Sequence, residues 1–204
     1  MKGLLYSGGV ESAYLLQSLD GEIQPVYVSY GFPWEEYERK KARQHVERVE
    51  NAEELMEIEV QHDDPSRMRY KDVDPEDKYF TYIHGRSSSL ITNASVELTA
   101  MGVTDIYEGT LASGDRSFRD SSRGFYDAIE DALSTGLDDD LSIHTPLYGR
   151  EKAEIAAELI TGEFEVGFDD TVSCILTDDP DGCGDCYKCH EREKARKEAE
   201  SLID

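Results

Sequence analysis

Short apolar runs alternate with amphipathic stretches along the chain. The apolar and β-branched runs predict five strands, at Lys2–Tyr6, Gln24–Tyr30, Leu55–Val60, Asp105–Gly109 and Leu141–His144. Helical spacing predicts helices at Ser12–Leu19, Glu35–Asn51, Ser87–Met101, Phe125–Leu133, Gly149–Ile160 and Glu191–Leu202. Strands that alternate with helices indicate an α/β fold, Rossmann-like, with a parallel sheet and helices on both faces. Ligands of such a sheet bind at the carboxyl ends of the strands.

Two polar segments, His62–Tyr79 and Thr110–Arg123, predict long loops between these elements. No internal repeat or low-complexity linker interrupts the 204 residues. We therefore expect one domain, 1–204, whose last part, 168–204, forms a cysteine-rich tail.

Charge changes the picture of the surface. The chain has 45 acidic and 21 basic residues, a formal net charge of −24. Such a surface repels nucleic acid and anionic lipid, so we expect no direct nucleic-acid partner and no membrane partner. The acidity resembles that of cytoplasmic proteins from salt-accumulating halophiles, and an acidic mesophilic enzyme is the alternative. No run approaches a membrane span or a signal peptide, which favours a cytoplasmic location.

A glycine-rich loop follows the first predicted strand. It consists of Ser7, Gly8, Gly9, Val10, Glu11 and Ser12. Two glycines let backbone amides approach an anion, and the next helix points its amino-terminus at the same place. The two hydroxyls are further donors, and the carboxylate could hold a Mg²⁺ that bridges phosphates. An ordinary turn between strand and helix, capped by serine, is the alternative reading.

The four cysteines all lie in the tail, at Cys174, Cys183, Cys186 and Cys189. Four thiolates at short spacing fit a tetrahedral Zn²⁺, and an iron–sulfur cluster is the alternative. No ligand position is left for water, so this metal is expected to hold the tail together rather than to catalyse.

The glycine-rich loop resembles the PP-loop of ATP pyrophosphatases, Ser-Gly-Gly-x-Asp-Ser. Together with the cysteine pattern it resembles the 7-cyano-7-deazaguanine synthase family across nearly the whole chain. Gly85-Arg86-Ser87 stands where that family has Gly-Arg-Asn. Thr145-Pro146-Leu147 and Lys152-Ala153-Glu154 match its Thr-Pro-Leu and Lys-Ala-Glu segments.

The resemblance implies an adenine-nucleotide α-hydrolase-like fold, with ATP, Mg²⁺ and Zn²⁺ as cofactors. It implies a ligase in which ATP adenylates 7-carboxy-7-deazaguanine and ammonia displaces AMP to give the amide. A second ATP then activates the amide oxygen and leaves the nitrile. The product is a precursor for the tRNA nucleosides queuosine and archaeosine. The family also suggests a homodimer.

The resemblance further implies roles for individual residues. The loop Ser7–Ser12 holds pyrophosphate and metal, and Gly85 belongs to the nucleotide site. Arg86 and Lys152 are candidate phosphate-binding cations, with surface ion pairs as their alternative. Asp120 is a candidate contact to substrate or metal, and Val28 and Tyr30 form a candidate shelf for adenine.

Departures from the family pattern cluster around the expected pocket. Glu11 replaces an aspartate, Ser87 replaces an asparagine, and Ser29-Tyr30-Gly31-Phe32-Pro33-Trp34 replaces Asp-Tyr-Gly-Gln-x-His. Three alternatives therefore stay open: an adenylating ligase for another acid, a tRNA-thiolating PP-loop enzyme, and a degenerate nucleotide-binding module. A thiolating enzyme needs a reactive thiol or redox cluster near the nucleotide, and all four cysteines lie in the tail.

Overall fold

Five parallel strands form the sheet in the computed structural model, which describes residues 1–61, 74, 76–111, 118–177, 179 and 182–203. The strands are β1 (Lys2–Leu5), β2 (Ile23–Ser29), β3 (Met56–Glu59), β4 (Asp105–Tyr107) and β5 (Ser142–His144). They lie in the order β3-β2-β1-β4-β5. The strand order reverses between β1 and β4, which is where open α/β sheets bind ligands.

Six α-helices alternate with the strands in the described part of the chain. They are α1 (Val10–Ser18), α2 (Glu35–Val46), α3 (Arg86–Ala100), α4 (Arg123–Leu137), α5 (Lys152–Thr161) and α6 (Tyr187–Ile203). Short 3-10 turns lie at Lys78–Thr81, Arg119–Ser121 and Phe168–Asp170. The predicted parallel α/β sheet with intervening helices is confirmed.

Apolar residues of β2 alternate between the two faces of the sheet. Tyr27 packs with α1, α2 and α5 on one face, whereas Val26 and Val28 pack with α3 and α4 on the other. The tail helix α6 lies along α5, and its Ala199 is fully buried in the first of these two cores. Burial on both faces explains why β2 has three consecutive apolar residues, Val26, Tyr27 and Val28, at its centre.

All six predicted helices are present, but several of their boundaries differ from the sequence prediction, by up to five residues. The helix predicted at Glu35–Asn51 ends at Val46, because the chain tightens there into bonds three residues apart, including Arg48 N–H to the His45 carbonyl. The helix predicted at Glu191–Leu202 begins earlier, at Tyr187. Its first turn therefore contains Cys189, and the tail helix starts inside the cysteine cluster.

Among the described residues, no helix is both long and apolar enough to cross a bilayer. Most of the predicted loop His62–Tyr79 lies outside the described residues, as does the segment 112–117 of the loop Thr110–Arg123.

Candidate functional site

The loop between β1 and α1 is held in shape by its own serines. Ser12 Oγ donates to the Gly9 carbonyl at 3.1 Å, and Gly9 N–H donates to Ser7 Oγ at 3.3 Å. Gly8 has φ +75°, a left-handed conformation that glycine adopts without strain. The loop leads directly into α1, whose first-turn amides are unpaired within the helix. This arrangement can bind an anion such as pyrophosphate.

Neighbouring segments pack closely around this loop. Val172 N–H donates to the Gly8 carbonyl at 3.0 Å, which ties the loop to the tail. Gly109, just beyond β4, lies so near α1 that an added Cβ would stand 3.0 Å from Glu11 Cβ and 3.3 Å from Glu11 C. Only glycine fits there without displacing the start of α1.

A cavity of about 240 Å³ opens beside the loop, at the carboxyl ends of β1 and β2. Its walls combine apolar strand residues with charged side chains from α2, α3 and the end of β4. They are Leu5, Tyr6, Ser7, Val26, Tyr27, Val28, Glu38, Arg86, Ser87, Leu90 and Glu108. A pocket that combines apolar walls with converging polar groups next to an anion-binding loop fits a nucleotide base or a planar substrate.

Two buried carboxyl groups line this cavity. Burial raises the pKa of Glu38 to about 7, although Arg86 and the Tyr27 hydroxyl, which donates at 2.9 Å, act in the opposite direction. Burial likewise raises the pKa of Glu108, which accepts from the Tyr126 hydroxyl at 2.7 Å and from Thr110 N–H at 3.0 Å. Both carboxyls can therefore exchange protons closer to neutral pH than an exposed glutamate.

Arg86 is the first residue of α3 and follows Gly85, which has φ +68°. Its buried Nε has no hydrogen-bond partner among the described residues. The guanidinium lowers the pKa values of both Glu38 and Glu108, so it lies between them electrostatically. Among the charged residues that line the cavity it is the positive group, beside the acidic Glu38 and Glu108, and an anionic ligand requires such a group.

Lys152 lies between two carboxylates. Its Nζ is 2.9 Å from Glu11 Oε1 and 3.4 Å from Glu191 Oε2. Burial works against the charge, yet the two carboxylates outweigh it and raise the pKa of Lys152. Burial also disfavours the charge on Glu191, but Lys152 and Lys188 lower the pKa of that carboxyl to about 2. Lys152 and Glu191 are therefore both charged at neutral pH.

Another carboxylate organises the turn after β2. Glu35, 3% exposed, accepts from Ser29 Oγ at 2.7 Å, from Gly31 N–H at 2.8 Å and from Phe32 N–H at 3.1 Å. The same turn buries aromatic rings, and Phe32 and Trp34 stack with centroids 4.5 Å apart. An apolar cluster thus occupies the segment in which the family pattern has polar residues.

The four tail thiols converge on one point. Their sulfur atoms all lie within 4.8 Å of one another. Cys186 Sγ and Cys189 Sγ are 3.6 Å apart, and Cys183 Sγ and Cys189 Sγ are 3.8 Å apart. Four sulfurs placed tetrahedrally about 2.3 Å from a zinc ion are separated by about 3.8 Å. The cluster therefore has the dimensions of a site for one metal ion.

Backbone groups support this cluster. Cys183 N–H and Leu176 N–H both donate to Cys174 Sγ at 3.4 Å. An added Cβ at Gly182, which has φ +75°, would lie 2.9 Å from Cys189 Sγ. The turn between the first two cysteines therefore requires glycine so that the sulfurs can meet.

The structure brings most of the predicted site residues together. Ser7 at the start of the loop, Val28 and Arg86 line one cavity, and Lys152 contacts the loop through Glu11. Tyr30 does not line the cavity and instead packs with Phe32 in the core. Asp120 lies in the 3-10 turn before α4. Burial and Glu108 raise the pKa of Tyr126 in α4, and the charge of Asp120 adds a weaker effect in the same direction.

A family model described as "QueC: Queuosine biosynthesis protein QueC" matches residues 4–200. The chain belongs to this family. It is 30% identical over 206 residues to a 7-cyano-7-deazaguanine synthase of Methanospirillum hungatei, with 94% of this chain and 92% of the relative covered. A 7-cyano-7-deazaguanine synthase of Rickettsia felis is 31% identical over 63% of this chain and 58% of its own length.

A solved structure extends the comparison to the fold of this QueC-family chain. A 4-thiouridine synthetase, crystallised as an RNA complex with bound ATP, superposes with a TM-score of 0.51 at 18% identity. The match covers 98% of this chain and 50% of that chain, so the present chain spans half the length of that relative. The likeness concerns the fold, the parallel sheet with its flanking helices.

Four residues near the candidate site of this QueC-family chain are not singled out by the sequence pattern. They are Glu38, Glu108, Gly109 and Glu191. Glu38 and Glu191 lie in strongly charged helical segments, where a buried acid looks like its exposed neighbours. The sequence prediction places Gly109 at the end of a strand. A glycine at the carboxyl end of a strand also indicates a close approach of another backbone segment.

Proposed function

We propose that the chain is a 7-cyano-7-deazaguanine synthase, an ATP-dependent ligase that joins 7-carboxy-7-deazaguanine and ammonia and forms the nitrile. One observation carries the proposal: a PP-loop and a cavity with one arginine meet at the sheet's switch point in a chain that matches the family over residues 4–200. The curated relatives of this chain bear the same name.

In the proposed reaction the amides of the PP-loop bind the β,γ-pyrophosphate of ATP, and the substrate carboxylate attacks the α-phosphorus. The helix dipole of α1 and the cations Arg86 and Lys152 stabilise the negative charge that grows on the phosphates. Ammonia then displaces AMP, and a second ATP activates the amide oxygen before AMP leaves with it. The buried part of the cavity wall, which includes Val26, Tyr27 and Val28, limits access of water to the adenylated acid.

Glu11 fits a Mg²⁺ ion, because it is a carboxylate beside the PP-loop and close to where the phosphates bind. When bound, the ion neutralises charge on the phosphate oxygens. Lys152 holds the Glu11 carboxylate in place at 2.9 Å until the nucleotide arrives.

We further propose that the tail cluster binds Zn²⁺. The sulfur separations of 3.6 and 3.8 Å support a single ion. In an iron–sulfur cluster the four thiolates are divided over two or four irons, so thiolates on different irons lie farther apart than thiolates on one ion. Purified protein should contain one zinc per chain by metal analysis, and an oxygen-sensitive iron–sulfur absorption band would contradict this assignment.

The decisive experiment incubates the protein with ATP, Mg²⁺, ammonia and 7-carboxy-7-deazaguanine and detects the nitrile by mass spectrometry. We expect nitrile and about two AMP per product. An inactive Arg86→Met variant would locate the activity in the cavity, with exposed Arg119→Met as its control. ATP binding without turnover on any acid would indicate a degenerate nucleotide-binding module.

A second candidate is the same adenylating chemistry on a different acid. It is favoured by Phe32 and Trp34, buried aromatic residues where the family has glutamine and histidine. In that case 7-carboxy-7-deazaguanine would fail to stimulate AMP release, while another acid would stimulate it in the same assay.

The remaining assignments follow from the family and stay proposals. We propose a single domain, 1–204, with a metal-binding tail at 168–204, a cytoplasmic location and a homodimer. Light scattering of purified protein tests the dimer, and limited proteolysis with zinc present tests whether the tail is part of the domain.

A further inference from the structure

A chain of ion pairs joins the cysteine tail to the PP-loop. It runs from Lys188 to Glu191 at 3.2 Å, from Glu191 to Lys152 at 3.4 Å, and from Lys152 to Glu11 at 2.9 Å. Lys188 lies in the first turn of α6 and Glu191 directly follows that turn, on either side of Cys189 in the sequence. The PP-loop carboxylate is thus connected to the helix turn that carries a cysteine of the cluster.

These pairs are partly buried. The side chains of Lys152, Glu191 and Glu11 are 11%, 19% and 21% exposed. Ion pairs at this depth are screened less by salt than exposed pairs, so their geometry constrains the groups involved. Lys152 is also held by its position as the first residue of α5.

Two positively charged partners compete for the Glu11 carboxylate in the proposed reaction. It pairs with Lys152 in the structure, and it is the candidate carboxylate for the cation that accompanies ATP. A lysine with one carboxylate partner would compete strongly with that cation. A lysine shared between two carboxylates can release one and keep the other.

We infer that Glu191 is a positioning residue that shares Lys152 with Glu11 and so keeps Glu11 available to the divalent cation. The inference rests on the proposed use of ATP with a divalent cation. It assigns to α6 a role at the nucleotide site besides carrying a cysteine. Glu191 itself need not touch the nucleotide.

The test compares Glu191→Gln with wild type and with Glu198→Gln, which removes an exposed carboxylate from the same helix. Binding of a non-hydrolysable ATP analogue is measured by calorimetry over a range of Mg²⁺ concentrations. In Glu191→Gln the Mg²⁺ concentration for half-saturation should rise about fivefold to tenfold, as loss of a partly buried charge partner predicts. Glu198→Gln should match wild type, and Glu191→Asp should recover most of the effect.

Turnover gives a second, separate readout. At saturating Mg²⁺ the kcat of Glu191→Gln should stay within about twofold of wild type, because Lys152 is still present. An unchanged Mg²⁺ requirement, or a lower kcat with an unchanged requirement, overturns the inference. In a Glu11→Asp background the shorter carboxylate reaches Lys152 less well, so Glu191→Gln should then change little. This comparison holds even if Glu191→Gln is less stable.

The outcomes separate this inference from the proposed function. If wild type binds the analogue but forms no nitrile, the proposed substrate is wrong and the Mg²⁺ comparison still decides the role of Glu191. If wild type forms nitrile and Glu191→Gln behaves like wild type, only the inference fails. If wild type binds no nucleotide, both fail.

Discussion

The candidate nucleotide cavity and the four-cysteine tail are built in opposite ways. The tail collects its four thiols from one stretch, Cys174–Cys189, and holds them with local N–H···S bonds and tight turns. The cavity collects its walls from β1, β2, α2, α3 and the end of β4. Ligand geometry in the tail is therefore set by sequence spacing, whereas in the cavity it is set by how the elements pack.

The largest effect should come from breaking the local region. Cys186, fully buried, is the innermost thiol, so Cys186→Ser should abolish binding of the tail metal and lower the free energy of unfolding by about 4 kcal/mol. Metal analysis and urea unfolding check both effects. His190→Ala, an exposed neighbour, should keep the metal. Full metal content in Cys186→Ser would contradict the four-thiol assignment.

The second effect tests the contact between the two regions. Lys152→Met should lower ATP-dependent turnover by about 100-fold, because it removes a cation from the phosphates and leaves Glu11 and Glu191 unpaired. Steady-state kinetics measure the loss. Lys194→Met, an exposed lysine of α6, is the matched control and should be active. Equal losses in the two variants would mean that charge in general, rather than this position, matters.

The third effect concerns the buried acid of the cavity. Because the pKa of Glu38 is raised from 4.5 to about 7, the folded chain keeps a proton there that the unfolded chain has already lost between these pH values. Stability due to this group therefore falls as pH rises through that window, by about 3 kcal/mol.

Urea unfolding of wild type and Glu38→Gln from pH 4.5 to 8 measures this contribution as a difference between the two proteins. The difference should change with pH in favour of the glutamine variant as pH rises. Glu36→Gln, an exposed residue of the same helix, should run parallel to wild type. A parallel course for Glu38→Gln as well would show that its carboxyl is not desolvated.

The smallest effect probes long-range packing. The extra methyl of Gly109→Ala would press on the first turn of α1 at 3.0 Å and should weaken nucleotide binding about tenfold. Gly136→Ala, which has open space around it in α4, should leave binding unchanged. Calorimetry with an ATP analogue measures both. Normal affinity in Gly109→Ala would mean that α1 can shift without cost.

The contrast between the regions explains what the sequence could predict. The strands, the PP-loop and the cysteine cluster depend on short-range patterns such as apolar periodicity, paired glycines and ligand spacing. The sheet and the convergence of the four thiols were predicted and are present in the structure. Arg86 and Lys152 could be named only through the family resemblance.

The rest depended on contacts between distant segments. The sequence around Glu38 does not distinguish it from Glu36. Glu38 is nevertheless buried and accepts a hydrogen bond from Tyr27 of β2, whereas Glu36 is exposed. Glu191 gained its importance from Lys152, which lies 39 positions earlier. The start of α6 at Tyr187 also has no apolar periodicity that would predict it, because the first turn of this helix packs against the turn and the thiols of the cysteine cluster.

The hydrogen bond from Val172 N–H to the Gly8 carbonyl has a consequence for biosynthesis. The packing partner of the PP-loop is synthesised more than 160 residues after the loop itself. Such a contact closes late, since distant segments must meet before it forms. A nascent chain lacking its last quarter therefore contains the whole PP-loop sequence but not the bond that completes the loop.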